Sequence, residues 1–72
     1  MFQIGDKVIV SKDGGWKNDC SGVICSAPEP IDTLKGPENF YWVRFDQPEQ
    51  DVNGDDEYIK AQVLSCYIYV YN

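Results

Sequence analysis

The sequence predicts an all-β fold, a small antiparallel barrel of five short strands. Three observations point there. Phe40-Tyr41-Trp42-Val43-Arg44-Phe45-Asp46 is a run of aromatic and β-branched residues of strand length. Tyr67-Ile68-Tyr69-Val70-Tyr71 alternates strictly between aliphatic and aromatic side chains. No stretch carries the apolar spacing of a long helix, and turn residues recur between the strand candidates. Seventy-two residues make one domain, spanning 1–72. So short a chain encloses only about 60% of its unfolded surface. Its three Phe, five Tyr and two Trp are therefore expected to supply much of the core.

Taken in order, Gly5-Asp6 reads as a turn and Lys7–Ser11 as the first strand, with Val8 and Val10 facing inward. Ser11–Ser21 is a polar loop bent at Gly14-Gly15. Trp16 in that loop has two readings, a lid over one end of the core or an exposed anchor for a partner. Gly22–Ala27 is the second strand. Ile24 and Ser26 face inward and Cys25 outward if Gly22 marks its start; the alternative register exchanges them. Pro28–Asn39 is a long connection whose prolines exclude a central strand. Ile31 and Leu34 are expected to tuck it against the open edge of the barrel.

Phe40–Asp46 is the central strand, ended by Pro48. Its core face is Tyr41, Val43 and Phe45, because Arg44 on the opposite face must reach water. Trp42 then points outward beside Arg44, either as a stacked cation–aromatic pair or as a contact site. Gln47–Glu57 is an acidic connection, in which Asn53-Gly54 signals a type I′ hairpin turn. Continuing the ladder outward from that turn sets Asp51 against Asp56, so the ribbon is expected to fray into an acidic loop. Tyr58–Ala61 is the fourth strand, Ala61–Leu64 a short 3₁₀ turn, and Tyr67–Tyr71 the last strand, with Ile68 and Val70 inward.

The charge is unevenly placed. Twelve acids and six bases give a net charge of −6. Asp46, Glu49, Asp51, Asp55, Asp56 and Glu57 fall in one segment without Lys or Arg, and the rest of the chain is neutral. This balance speaks against phosphate binding and hence against nucleic acid as the partner. No apolar run is long enough for a membrane span, and the first residues lack signal-peptide character. The odd number of cysteines argues against a secreted disulfide framework, so a cytoplasmic location is expected.

Catalytic machinery is not visible. There is no His, so no Cys–imidazole pair exists, and there is no glycine-rich phosphate loop. Cys20, Cys25 and Cys66 fall short of a four-ligand zinc site and read as small hydrophobes. Asp51–Glu57 has the ligand types that start an EF-hand loop, but its glycine is at the fourth position and Gln62 at the twelfth. No enzyme activity, cofactor or metal is expected; a weak surface cation site is the residual possibility.

Gly5-Asp6-Lys7-Val8-Ile9-Val10, Ser21-Gly22-Val23-Ile24 and Tyr41-Trp42-Val43-Arg44-Phe45 together resemble the small SH3-like barrels. The KOW-type domains, the photosystem I subunit IV type and other electron-transport accessory barrels are the nearest of these. The resemblance covers about two-thirds of the chain and lies in strand order and turns. It implies a five-stranded barrel closed by pairing of the first and last strands, and a non-catalytic docking role. The chain departs from the peptide-binding type in lacking its aromatic-acidic signature, and from nucleic-acid-binding KOW domains in its acidity.

The expected function is a protein-interaction module. Its contact residues are Trp16, Trp42, Asp46, Glu49, Asp51, Asp55, Asp56, Glu57 and Tyr69, facing a partner with a basic patch. Two alternatives stand beside it. A nucleic-acid-associated barrel requires at least four of Lys7, Lys12, Lys17, Lys35, Arg44 and Lys60 on one face. A structural subunit would pack in a larger complex, or as a homodimer through the tyrosines of the last strand; the chain alone is expected as a monomer or weak homodimer.

Overall fold

Alternating apolar residues in six segments build one strongly curled antiparallel sheet. The computed structural model describes residues 2–71. Its strands are β1 (Lys7–Val10), β2 (Cys20–Ile24), β3 (Glu29–Thr33), β4 (Gly36–Gln50), β5 (Glu57–Leu64) and β6 (Ile68–Val70). Single 3₁₀ turns cover Lys12–Gly14 and Ser65–Tyr67. The order across the sheet is β3-β4-β2-β1-β6, with β5 on β4. The first and last strands pair, Val10 opposite Ile68 and Val8 opposite Val70. The result is a half-barrel of six strands rather than the expected five.

The extra strand is β3. The connection expected to be irregular forms a hairpin with the start of β4, from Glu29 opposite Phe40 to Thr33 opposite Gly36. Pro30 fits because β3 is an edge strand, and Pro37 because β4 has no partner on its other side before Phe40; there a missing N–H need not break a ladder. Leu34 sits at the hairpin tip, fully exposed, and does not tuck against the barrel. The tight two-residue connection carries it away from the core.

β4 runs on past the expected stop at Pro48 to Gln50. Its pairing with β5 shifts between Arg44 and Glu49, so Pro48 lies in a bulge, where no ladder hydrogen bond is demanded of it. β5 continues to Leu64, which moves the 3₁₀ turn from Ala61–Leu64 to Ser65–Tyr67. That turn still precedes the last strand.

The interior is Val8, Val10, Trp16, Cys20, Ile24, Tyr41, Val43, Phe45, Val63 and Ile68. The expected inward set Tyr41, Val43, Phe45, Val8, Val10, Ile24 and Ile68 is therefore buried together. Val70 is 65% exposed instead of inward. It faces the same side as Val8, but β6 has β1 as its one neighbour in the sheet, and the interior has ended at that point. β2 starts and ends earlier than the expected Gly22–Ala27, at Cys20 and Ile24; Ile24 is buried as expected, and Cys25, just past its end, is exposed. At Gly22 β2 lies close against β4. A Cβ there would stand 2.5 Å from the Arg44 carbonyl oxygen.

Candidate functional site

Three surfaces carry chemistry: the acidic loop between β4 and β5, the outward face of the sheet, and a groove beside the second 3₁₀ turn. The acidic loop spans residues 51–56, because Gln50 pairs with Glu57 and Glu49 with Tyr58. Its turn is not type I′. Asn53 has no positive φ; the left-handed residue is Gly54, at φ +84°. Asp51 replaces the expected geometry with its own side chain. Its Oδ1 accepts from the backbone N–H of Asn53 and of Gly54, both at 3.1 Å. An aspartate at the start of a turn satisfies N–H groups in this way and holds the loop without a ladder.

The first loop braces this one. Lys17 N–H donates to Gln50 O and Val52 N–H to Gly15 O, so Trp16 bridges to Asp51. The Trp16 ring is turned inward, 9% exposed, edge-on to Phe45 at 4.9 Å and to Tyr58 at 5.7 Å. It is a lid over the core, and the exposed-anchor reading is corrected: enclosing a large ring adds core that a short chain otherwise lacks. Lys17 lies across Gly54 and donates to Gln50 Oε1 at 3.2 Å.

The six acids divide by task. Asp46 forms the one ion pair among the described residues, Lys7 Nζ donating to its Oδ2 at 2.7 Å, and Ser21 Oγ donates to the same oxygen at 2.8 Å. These two donors, Lys7 first, hold its carboxyl below the usual carboxylate range. Asp51 is spent on the turn, and its charge pushes the Tyr58 hydroxyl up, that hydroxyl donating to Asp51 at 3.4 Å. Glu49 is half-buried and faces Cys20 closely enough to raise its thiol, which burial chiefly pushes up to about 12. Asp55, Asp56 and Glu57 are exposed and make no side-chain hydrogen bond or ion pair among the described residues.

On the outward face the strand register lines up Lys7, Val23, Arg44 and Lys60 across β1, β2, β4 and β5. Residues opposite one another share a face, so three cations form a row. Arg44 and Lys60 stand directly opposite. Trp42 is half-buried on this face with the Lys60 ammonium 5.4 Å from its ring centre, so the cation partner is Lys60 rather than Arg44. Tyr71 lies under Lys7 at 5.7 Å, and Tyr69 is 56% exposed. A groove of about 340 Å³ runs between Cys25, Arg44, Ile59 and Lys60. The third surface is a groove of about 390 Å³ lined by Leu34, Glu38, Leu64, Cys66 and Tyr67 among others.

The sequence offers the acids and the outward aromatics as candidates and names Lys7, Arg44 and Lys60 only among six cations that would have to share a face, because their row exists only through pairing between four separate segments. The thiols do not meet: Cys20 is buried while Cys25 and Cys66 are exposed, and no group of three potential metal ligands assembles among the described residues. No helix among the described residues is long and apolar enough to cross a membrane. No family model, no curated protein and no solved structure matches the chain.

Proposed function

We propose that the chain is a non-catalytic protein-interaction module of the SH3-like barrel kind, docking through its acidic loop onto a protein with a basic patch. The observation that carries this is the state of Asp55, Asp56 and Glu57. They are exposed and free of internal ion pairs among the described residues; Asp55 and Asp56 lie on a loop held at one end by the first loop and at the other by the Gln50–Glu57 pairing, and Glu57 opens β5. A braced loop loses little freedom on binding, and unpaired carboxylates accelerate encounter with a cationic surface. Trp42 and Tyr69 offer apolar area on the outward face. Asp46, Asp51 and Glu49 serve the fold first, and Trp16 acts from inside by holding Phe45 and Tyr58. The paired first and last strands and the 3₁₀ turn before the last strand support the SH3-like comparison.

The nucleic-acid alternative is the weaker reading. The register gathers Lys7, Arg44 and Lys60 on one face, short of the four it requires, and Lys7 is already neutralised by Asp46. The test is capture from a lysate of the native host at about 50 and 500 mM salt, with the chain and with its Asp55→Asn/Asp56→Asn/Glu57→Gln variant. Capture should fall at high salt and in the variant. A complex indifferent to both would overturn the proposal.

A further inference from the structure

We infer that the acidic loop also has a partner in a second copy of this chain, in a two-fold dimer joined through the free edges of β5. This rests on the reading that Asp55, Asp56 and Glu57 form a contact surface.

Three sheet edges lack a neighbour, and they differ. The edge of β3 carries Pro30 with Glu29 and Asp32, features that block strand addition. β6 is three residues long. β5 is eight residues long and pairs with β4 alone. Apart from its ladder to β4, no turn or loop main-chain hydrogen bond among the described residues reaches its first half, Glu57–Lys60. The side chains along its first half are exposed, with Ile59 at 61% and Tyr58 at 36%. Among the described residues this is the one strand edge longer than five residues left open without proline.

Lys60 is the feature that selects the occupant. A lysine on an edge repels a chance strand by demanding water or a counter-charge. Here the counter-charge lies on the same edge, a few residues earlier, in Asp55, Asp56 and Glu57. An antiparallel copy reverses that polarity. With Asp56 of one copy opposite Lys60 of the other, symmetry sets Lys60 of the first opposite Asp56 of the second, and Tyr58 lies at the two-fold axis. Arg44, directly across β4 from Lys60, adds to the charge that the incoming loop meets. Neither Arg44 nor Lys60 has an ion-pair partner among the described residues. Lys60 on the β5 edge, backed by Arg44 on β4, and the carboxylates of Asp55, Asp56 and Glu57 just before and at the start of that edge are self-complementary only in this orientation. The contact is small, so association in the micromolar range or weaker is expected.

The test is sedimentation velocity of the full chain from about 1 to 500 µM at about 50 mM salt, with Lys60→Glu and Asp56→Lys separately and mixed in equal amounts. The wild-type chain should show a monomer–dimer equilibrium. Each variant alone should dimerise at least about tenfold more weakly, through like charges facing each other. The mixture should recover association, because residue 56 of each copy then meets a residue 60 of opposite charge. A wild-type chain that stays monomeric throughout, or a mixture no better than its components, overturns the dimer. If the dimer fails while salt-sensitive capture through the loop acids persists, the docking reading stands without self-association. If that capture fails as well, both readings fall.

Discussion

Replacing Trp16 by Ala separates a core lid from a surface anchor by its effect on stability. The ring is 9% exposed and meets Phe45 and Tyr58 edge-on at 4.9 and 5.7 Å. Deleting a buried ring of this size costs about 3–5 kcal/mol. Edge-to-face pairs contribute about 0.5–1.5 kcal/mol each beyond area, and part of that lies within the same figure. A domain of this length has about 4–11 kcal/mol of stability at roughly 0.05–0.15 kcal/mol per residue. Trp16→Ala should therefore consume about a quarter or more of the total. Trp16→Phe, which keeps an aromatic ring against Phe45, should cost distinctly less. Urea unfolding followed by far-ultraviolet circular dichroism reads both, as a lowered midpoint with unchanged slope. The backbone links between Gly15–Lys17 and Gln50–Val52 should loosen along with the ring. A cost within about 0.5 kcal/mol for Trp16→Ala would refute the lid, since that is the range of surface substitutions.

Three further outcomes follow from the same geometry. Gly22→Ala should lower stability by about 1–3 kcal/mol, because its Cβ would stand 2.5 Å from the Arg44 carbonyl oxygen and part β2 from β4; denaturant melts check this. Asp46 has a carboxyl pKa held below its unfolded value of 3.8 by Lys7 and Ser21, so the stability it contributes is present above that value and lost as pH falls through its folded pKa. Acid unfolding of Asp46→Asn should lack that portion of the pH dependence, leaving a shallower decline than wild type. In the folded protein a thiol reagent at mildly alkaline pH should modify Cys25 and Cys66 and spare Cys20, which is buried with its pKa near 12; adding denaturant should release the third thiol.

Most of the interior was legible in the sequence, and the reason is local. Val8, Val10, Tyr41, Val43 and Phe45 alternate with residues that must reach water, so a period of two assigns their face before any partner strand is known. Ile24 followed once Gly22 was taken as the strand start. What was not legible depended on contacts between segments. Pro30 and Pro37 made Pro28–Asn39 look like a loop, yet an edge hairpin accommodates both. Asn53-Gly54 suggested a type I′ turn, but Asp51 offered its carboxylate to the turn N–H groups and Gly54 alone took positive φ. Val70 obeyed the alternation and remained exposed because the interior stops beside Val8.

The same distinction decides how the charge is used. Read along the chain, Asp46–Glu57 is one acidic block. Folded, Asp46 reaches back across the sheet to Lys7 and Ser21, Asp51 closes its own loop, and Glu49 lies beside Cys20. Each of these carboxylates has a structural task whose removal would be felt as lost stability. The acids left for a partner are Asp55 and Asp56 at the end of the loop and Glu57 at the start of β5, a few residues before Lys60 on the unpaired edge. Neutralising Asp55, Asp56 and Glu57 should therefore change association while leaving the unfolding midpoint nearly unmoved, within about 0.5 kcal/mol per exposed site. Neutralising Asp46 or Asp51 should do the reverse. If all the acids behaved alike in both assays, net charge would be the operative property, and the division of labour drawn from hydrogen bonds and strand register would be wrong.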